Sequence, residues 1–304
     1  MPVANGFRQL FRHGGSHGAV DHCSASSVQS VRHDQIIPVT LPLSMFCIVF
    51  EGQPFIEGCL KAMLRQADFV SVVEGATNRE AQHLGNGIRI TGHPDSQDGT
   101  REILKEYQEK YRGKLTVQFA NGKFWRSKTQ MVQNALGGCR YGVLMQVDID
   151  EFWHDWQIAM IKKVVSEGDY SDLEFHCRHY WASPHWHVAL SKGLWGGGDP
   201  WRRAFLWNGE PVESHEPPRF RRRWEHVLTK EETRALGLVF FHGSYASFEN
   251  VRKKELFYNL KPGELTEPML AWARKGYGEV GPPGPMVNYQ GPFPPDWPQL
   301  KEWI

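Results

Sequence analysis

The segment YGVLMQVDIDEFW, from Tyr141 to Trp153, constrains the fold more than any other part of the chain. Val143, Leu144, Met145 and Val147 form a short apolar run of the kind that makes a strand covered on both faces. The run ends in three carboxylates, Asp148, Asp150 and Glu151. Desolvating an unpaired carboxylate is costly, so acids at the end of a core strand require a cation. Two aspartates one residue apart suit a hard, oxygen-liganded ion such as Mg2+ or Mn2+, and such an ion commonly holds phosphate in turn. A solvated strand end is the competing reading of an isolated D-x-D, and the upstream segments weigh against it.

Upstream of Asp148, strands and helices alternate. Leu43 to Phe50 reads as a strand. Pro54 then opens a helix, a position where proline is tolerated. Phe55, Ile56, Cys59, Leu60, Met63 and Leu64 form its apolar stripe at helical spacing. Phe69 to Glu74 is a second strand. Asp98 is placed to cap a helix carrying Ile103, Leu104, Tyr107 and Tyr111, which stops at Gly113. Leu115 to Phe119 is a third strand. Ser127 and Gln130 form a capping box for a helix carrying Met131, Val132, Ala135 and Leu136, ended by Gly137 and Gly138. The fourth strand runs into Asp148. This order predicts an α/β fold with a mainly parallel sheet flanked by helices. Ligands of such sheets bind beyond the carboxyl ends of the strands, where Glu51, Glu74 and Asp148 fall together.

The second half is read as α+β and acceptor-binding. It contains a helix over Ile158 to Val165, a strand DLEFHCRHYW, short strands near RRAFLW and LGLVFFHG, and a last helix from Phe248 to Leu260. Residues 1–35, rich in Ser, Gly, His and Gln, read as a flexible leader. Residues 36–262 then form one catalytic domain, divided into a nucleotide-binding half (36–151) and an acceptor half (152–262). Residues 263–304 carry GPPGP and GPFPPDWP and read as an extended tail pinned by Trp297 and Trp303.

Composition excludes several classes. A net charge of +1 over 304 residues argues against a general nucleic-acid or membrane-surface role. No run approaches the roughly 18 apolar residues that span a bilayer. The five cysteines are scattered and show neither zinc nor disulfide spacing, which fits a reducing, cytoplasmic compartment. His176, His179, His185 and His187 show no helical i, i+4 pair with an adjacent glutamate, so their segment is read as a strand and not as a zinc site. Trp181, Trp186, Trp195 and Trp201 are read as an acceptor platform, because indole rings stack on the apolar faces of sugars.

Taken in order, FCIVFEGQPFIEGCLKAML, ADFVSVVEGAT, DSQDGTREILKEY, VLMQVDIDEFW and FFHGSYASFENVRKKELFY resemble a family 2-type glycosyltransferase with a GT-A fold, over roughly residues 44 to 260. In the common pattern the acidic strand end runs almost directly into the S-x-D-G-T turn. Here NREAQHLGNGIRITGHPD intervenes, and a short hairpin over the nucleotide pocket is expected from it.

The resemblance implies inverting transfer of a sugar from a nucleotide-diphosphate donor to a glycan or glycoconjugate hydroxyl, with Mn2+ or Mg2+. It implies that Glu51, Glu74, Asp98, Lys128 and Asp148 hold the donor, and that Asp148, Asp150 and His242 hold the metal. Lys253 and Lys254 join Lys128 as diphosphate candidates. The acceptor must lose a proton, so a carboxylate base is required. Asp199 and Glu216 are the two candidates, with Glu216 preferred because Pro217 and Pro218 rigidify its loop. Two alternatives stand beside this reading: a sugar nucleotidyltransferase, disfavoured because FEGQPFIEG lacks a basic residue, and a non-catalytic carbohydrate- or nucleotide-binding protein derived from a transferase.

Overall fold

The first element, β1 (Leu43–Val49), is almost wholly buried because its side chains serve two cores at once. Met45, Cys47 and Val49 face one core, whereas Phe46 faces the other. That is the two-sided burial expected of a central parallel strand. The structure is a computed structural model and describes residues 41–78, 92–190, 201–216, 218–222, 225–257 and 260–300. All of these lie in the unit Thr40–Ile304. The leader expected at 1–35, most of the insertion after Glu74, Asp199 and Trp303 lie outside the described residues.

After β1 come α1 (Ile56–Gln66), β2 (Phe69–Glu74), α2 (Thr100–Lys110), β3 (Leu115–Phe119), α3 (Lys128–Leu136) and β4 (Gly142–Gln146). The four strands are parallel in the order β4-β1-β2-β3. Helices α1 and α2 cover one face through Leu60, Met63, Leu104 and Tyr107. Helix α3 covers the other through Met131, Val132, Ala135 and Leu136. Val49 lies opposite Glu74, so the acidic ends of β1 and β2 share the carboxyl edge of the sheet.

The element order expected through β4 holds, with three differences. Helix α1 begins at Ile56, two residues after Pro54. Helix α2 is capped by Gly99 at φ 89°, and Asp98 stands one residue earlier, accepting from the Thr100 N–H at 3.1 Å. The Gln130 N–H donates to Ser127 as expected, but the Gln130 side chain accepts from the Arg126 N–H instead of closing a capping box.

Beyond β4 follow β5 (Glu151–Phe152), α4 (Asp155–Glu167), β6 (Asp172–Trp181), β7 (Trp186–Val188), β8 (Trp201–Trp207), β9 (Val212–His215), β10 (Pro218–Phe220), β11 (Val227–Leu228), α5 (Lys230–Ala235), β12 (Val239–Tyr245) and α6 (Phe248–Phe257). Here the expectation of a mainly parallel sheet needs correcting. Strand β8 joins β4 antiparallel, β6 joins β8 antiparallel, and β12 runs parallel to β6 and antiparallel to β5. The sheet is therefore mixed: parallel through β4-β1-β2-β3 and largely antiparallel on the other side of β4.

The C-terminal stretch is also more ordered than its Pro and Gly content implies. It contains α7 (Thr266–Arg274) and the hairpin β13 (Val280–Gly281) and β14 (Gly284–Asn288), and β14 pairs with β7. Helix α7 forms because Met269, Trp272 and Ala273 recur at helical spacing, with Met269 and Trp272 packed in one cluster with Trp181, Tyr245 and Val251. Trp297 does pin the tail: its ring lies 5.3 Å from Phe152 and 4.9 Å from Tyr180, centroid to centroid. Gly58 is required beside it, since a Cβ there would collide with the Asp296 carbonyl oxygen.

Candidate active site at the carboxyl edge of the sheet

The chain leaves β1 through Glu51, a non-glycine residue at φ 50°. This left-handed turn points successive backbone N–H groups at the loop before α2. Glu51 donates to Ser96 Oγ at 3.0 Å, Gly52 to Thr100 Oγ1 at 2.8 Å, and Gln53 to Asp98 Oδ2 at 3.0 Å. Ser96 in turn donates its N–H to Glu74 Oε1 at 2.7 Å. Glu51, Asp98 and Glu74 are thus parts of one hydrogen-bonded edge; the strand order predicts this for Glu51 and Glu74.

Their accessibility differs. Glu74 is fully buried, and Arg101 approaches its second oxygen at 3.5 Å. Lys253, on α6, reaches Glu51 at 3.3 Å and Asp98 at 3.9 Å. Lys254 lies over the Tyr245 ring at 5.2 Å. Lys128 opens α3, behind its N-cap Ser127.

At the end of β4 the three carboxylates separate into two environments. Glu151 and Asp148 turn to Arg203 on β8, which is buried with 1% of its side chain exposed. Arg203 donates from Nε to both Glu151 oxygens at 3.0 Å, and from Nη2 to Glu151 at 2.8 Å and to Asp148 Oδ2 at 2.8 Å. Asp148 Oδ1 also accepts from Gln146 at 3.0 Å. Burial raises the Glu151 carboxyl, and the paired guanidinium opposes that. Burial likewise disfavours the Arg203 charge, but Glu151 and Asp148 outweigh it and hold the guanidinium above its ordinary value.

Asp150 points the other way, toward β12. Its Oδ1 lies 3.5 Å from His242 Nε2, and its Oδ2 accepts from Ser244 at 2.5 Å. Register places His242 beside Glu151 on β5 and beside His179 on β6. His242 Nδ1 and His179 Nδ1 are 2.9 Å apart, so one of them donates to the other. Burial disfavours a charged Asp150, but His242, Lys254 and Ser244 outweigh it and hold the carboxyl far below the carboxylate range. Burial, with His242 alongside, pushes His179 well below its ordinary value. Trp201 closes this side, 5.3 Å from the His242 ring and 5.7 Å from that of His179.

The structure therefore brings Asp150 and His242 together and gives Asp148 to an arginine. The 3.5 Å between Asp150 Oδ1 and His242 Nε2 is longer than the roughly 3.0 Å that separates cis ligands of an octahedral ion. Glu216 sits after β9 with His215 at 3.4 Å. His215 above all, then Lys128 and Arg203, lower its carboxyl to about 2 against the effect of burial. Trp181 is buried and stacked on Tyr245 at 4.8 Å, whereas Trp201 borders this cluster; Trp195 lies outside the described residues. Arg203 escaped the sequence reading, and His179 was named there only as a strand residue. The acids at the end of β4 did signal a missing cation, but its position on β8 is set by strand pairing that the local pattern does not encode.

No family model matches the chain, and no curated protein matches it. Among solved structures, S. aureus TarS 1-349 in complex with UDP-GlcNAc aligns at 16% identity over 46% of this chain and 35% of its own, with a TM-score of 0.35. The mannosyltransferase PcManGT from Pyrobaculum calidifontis, in complex with GDP-Man and Mn2+, aligns at 19% identity over 46% of this chain and 37% of its own, with a TM-score of 0.36. The alignments thus span about a third of each neighbour's length. At these scores neither likeness bears on what this chain binds.

Proposed function

We propose that the chain is a metal-dependent glycosyltransferase that moves a sugar, with inversion, from a nucleotide-diphosphate donor to an acceptor hydroxyl. The observation that carries this reading is the Asp150–His242 pair at the end of the core strand β4. Parallel α/β sheets bind ligands at that carboxyl edge, and here it is lined with Glu51, Asp98 and Asp148.

Each residue has a role in this reading. Asp150 and His242 hold Mn2+ or Mg2+, and the ion supplies positive charge against the leaving diphosphate. Glu51 and Asp98 face the nucleoside, with Lys253 beside them and Lys128 near the diphosphate. Asp148, fixed by Arg203 and Gln146, contributes a preset acceptor for a donor hydroxyl. Glu74 acts one layer deeper, where it holds Ser96 and so the turn at Glu51. Glu216 takes the acceptor proton, and Asp199 is the second acid proposed for that step. An anionic donor beside Lys128 and Arg203 would offset the charges that lower Glu216 and make it a better base.

The reading is tested by incubating the protein with UDP- and GDP-sugars and following nucleotide release with Mn2+ and with EDTA. Release that requires the metal supports transfer. Metal-dependent nucleotide binding with no release from any donor assigns the chain to the non-catalytic alternative.

A further inference from the structure

Cys177 is a buried residue of β6 whose neighbours give it a capacity beyond packing. Cys177 and His179 alternate along β6 and so project from the same face of the strand. His242 on β12 stands in register with His179. All three are buried, and one ligand atom from each lies within 4.8 Å of the other two.

We propose that Cys177, His179 and His242 form a binding site for a soft or borderline divalent cation of the Zn2+ class, which shares His242 with the hard-cation pair at Asp150 and competes with it. Ligand chemistry carries the distinction. A thiolate with two imidazoles selects zinc-like ions, whereas Mg2+ and Mn2+ prefer oxygen. Zn–N bonds of 2.0–2.1 Å and a Zn–S bond of 2.3 Å set ligand atoms roughly 3.3–3.7 Å apart in a tetrahedron. The Nδ1–Nδ1 distance of 2.9 Å and the 4.8 Å limit bracket that spacing, so closure needs side-chain shifts on the order of 1 Å.

Asp150 strengthens the assignment. A metal-bound histidine almost always donates its other ring N–H to a carboxylate or carbonyl, which fixes its tautomer. His242 has this arrangement: Nδ1 faces His179, and Nε2 faces Asp150 at 3.5 Å. The Trp201 ring packs on both histidines and limits water at the site. On binding, the Cys177 thiol releases its proton to solvent and the sulfur bonds the cation, so uptake is coupled to proton release. With Nε2 protonated toward Asp150, His242 cannot at the same time ligate a hard ion there. That consequence alone rests on the proposed transferase function; the soft-cation site does not.

The test uses the full-length protein stripped of metal. Zn2+ is titrated against a chromophoric chelator, and Co2+ is added separately as a spectroscopic probe. One equivalent of Zn2+ should bind, and Cys177→Ser and His179→Gln should each weaken it at least about tenfold. The Co2+ complex of the wild-type protein should show tetrahedral d–d absorption and a thiolate-to-cobalt charge-transfer band, the latter missing in Cys177→Ser. Saturating Co2+ that produces no thiolate band in the wild-type protein overturns the proposal, whether or not the variants fold. Unchanged zinc affinity in Cys177→Ser overturns it equally. Neither result depends on nucleotide binding or sugar transfer.

Discussion

Arg203 and Glu151 form a double hydrogen-bonded pair in the interior, with guanidinium nitrogens 3.0 and 2.8 Å from the carboxylate and almost no solvent at either side chain. The same guanidinium reaches Asp148, so one buried cation sets the position of two of the three acids after β4.

Removing that cation leaves Glu151 buried and unpaired. Breaking such a pair costs about 3–5 kcal/mol, whereas replacing both members with apolar groups is often neutral. Arg203→Met should therefore lower the urea midpoint sharply, and Arg203→Met with Glu151→Leu should recover much of the loss. A double variant as unstable as the single one would show that the pair is not the source of the effect.

The family resemblance implies that Glu74 touches the donor directly. Its full burial and its bond to the Ser96 N–H point to support of the turn. Glu74→Gln should cost about 1–3 kcal/mol by weakening the contacts to Ser96 and Arg101. Thermal unfolding checks this. An unchanged melting temperature with weakened nucleotide binding would return Glu74 to the donor pocket.

His187 gives a pH dependence whose sign can be worked out. Burial pushes its imidazole below the ordinary value of 6.5, with Arg178 adding to this and the Val188 carbonyl opposing it. The unfolded chain takes up a proton as pH falls through 6.5 while the native side chain resists it, so its contribution is complete above that pH and declines below it. His187→Asn keeps a donor for Val188 but cannot titrate. Between about pH 8 and pH 5 its melting temperature should fall less than that of the wild type. Parallel curves would exclude His187 as a source of acid sensitivity.

For Glu216, the expected signature is loss of turnover without loss of donor affinity, because a base acts only as the acceptor is deprotonated. Glu216→Gln should reduce kcat more than about tenfold, roughly 1.4 kcal/mol of barrier, with nucleotide affinity unchanged. If Glu216→Gln retains kcat and Asp199→Asn loses it, the base is Asp199. Glu151 and Asp155 are weaker substitutes, since Arg203 holds one and Arg65 pairs with the other at 2.8 Å.

The parallel half was legible because its information is local. The stripe from Ile56 to Leu64, the run from Phe69 to Glu74 and the Ser127 cap each specify an element within a dozen residues. The carboxyl-edge acids followed, because parallel pairing puts strand ends side by side. What escaped depends on contacts between distant segments. Arg203 meets Glu151 across 52 positions, and His179 meets His242 across 63. Both pairings come from the antiparallel insertion of β8 and the placement of β12 beside β6, which no short pattern announces. Helix α7 was hidden by the prolines and glycines before, within and after it, although Met269, Trp272 and Ala273 carried its period.

The central claim is that a divalent ion held by Asp150 and His242 binds a nucleoside diphosphate. Calorimetric titration of UDP and GDP into the wild-type protein and Asp150→Ala, each with Mn2+ and with EDTA, tests it most directly. The account predicts at least about tenfold tighter binding of one nucleotide with Mn2+, near 1.4 kcal/mol, and loss of that gain in Asp150→Ala. Equal wild-type affinity in Mn2+ and EDTA, or a metal-linked gain that survives in Asp150→Ala, would contradict it.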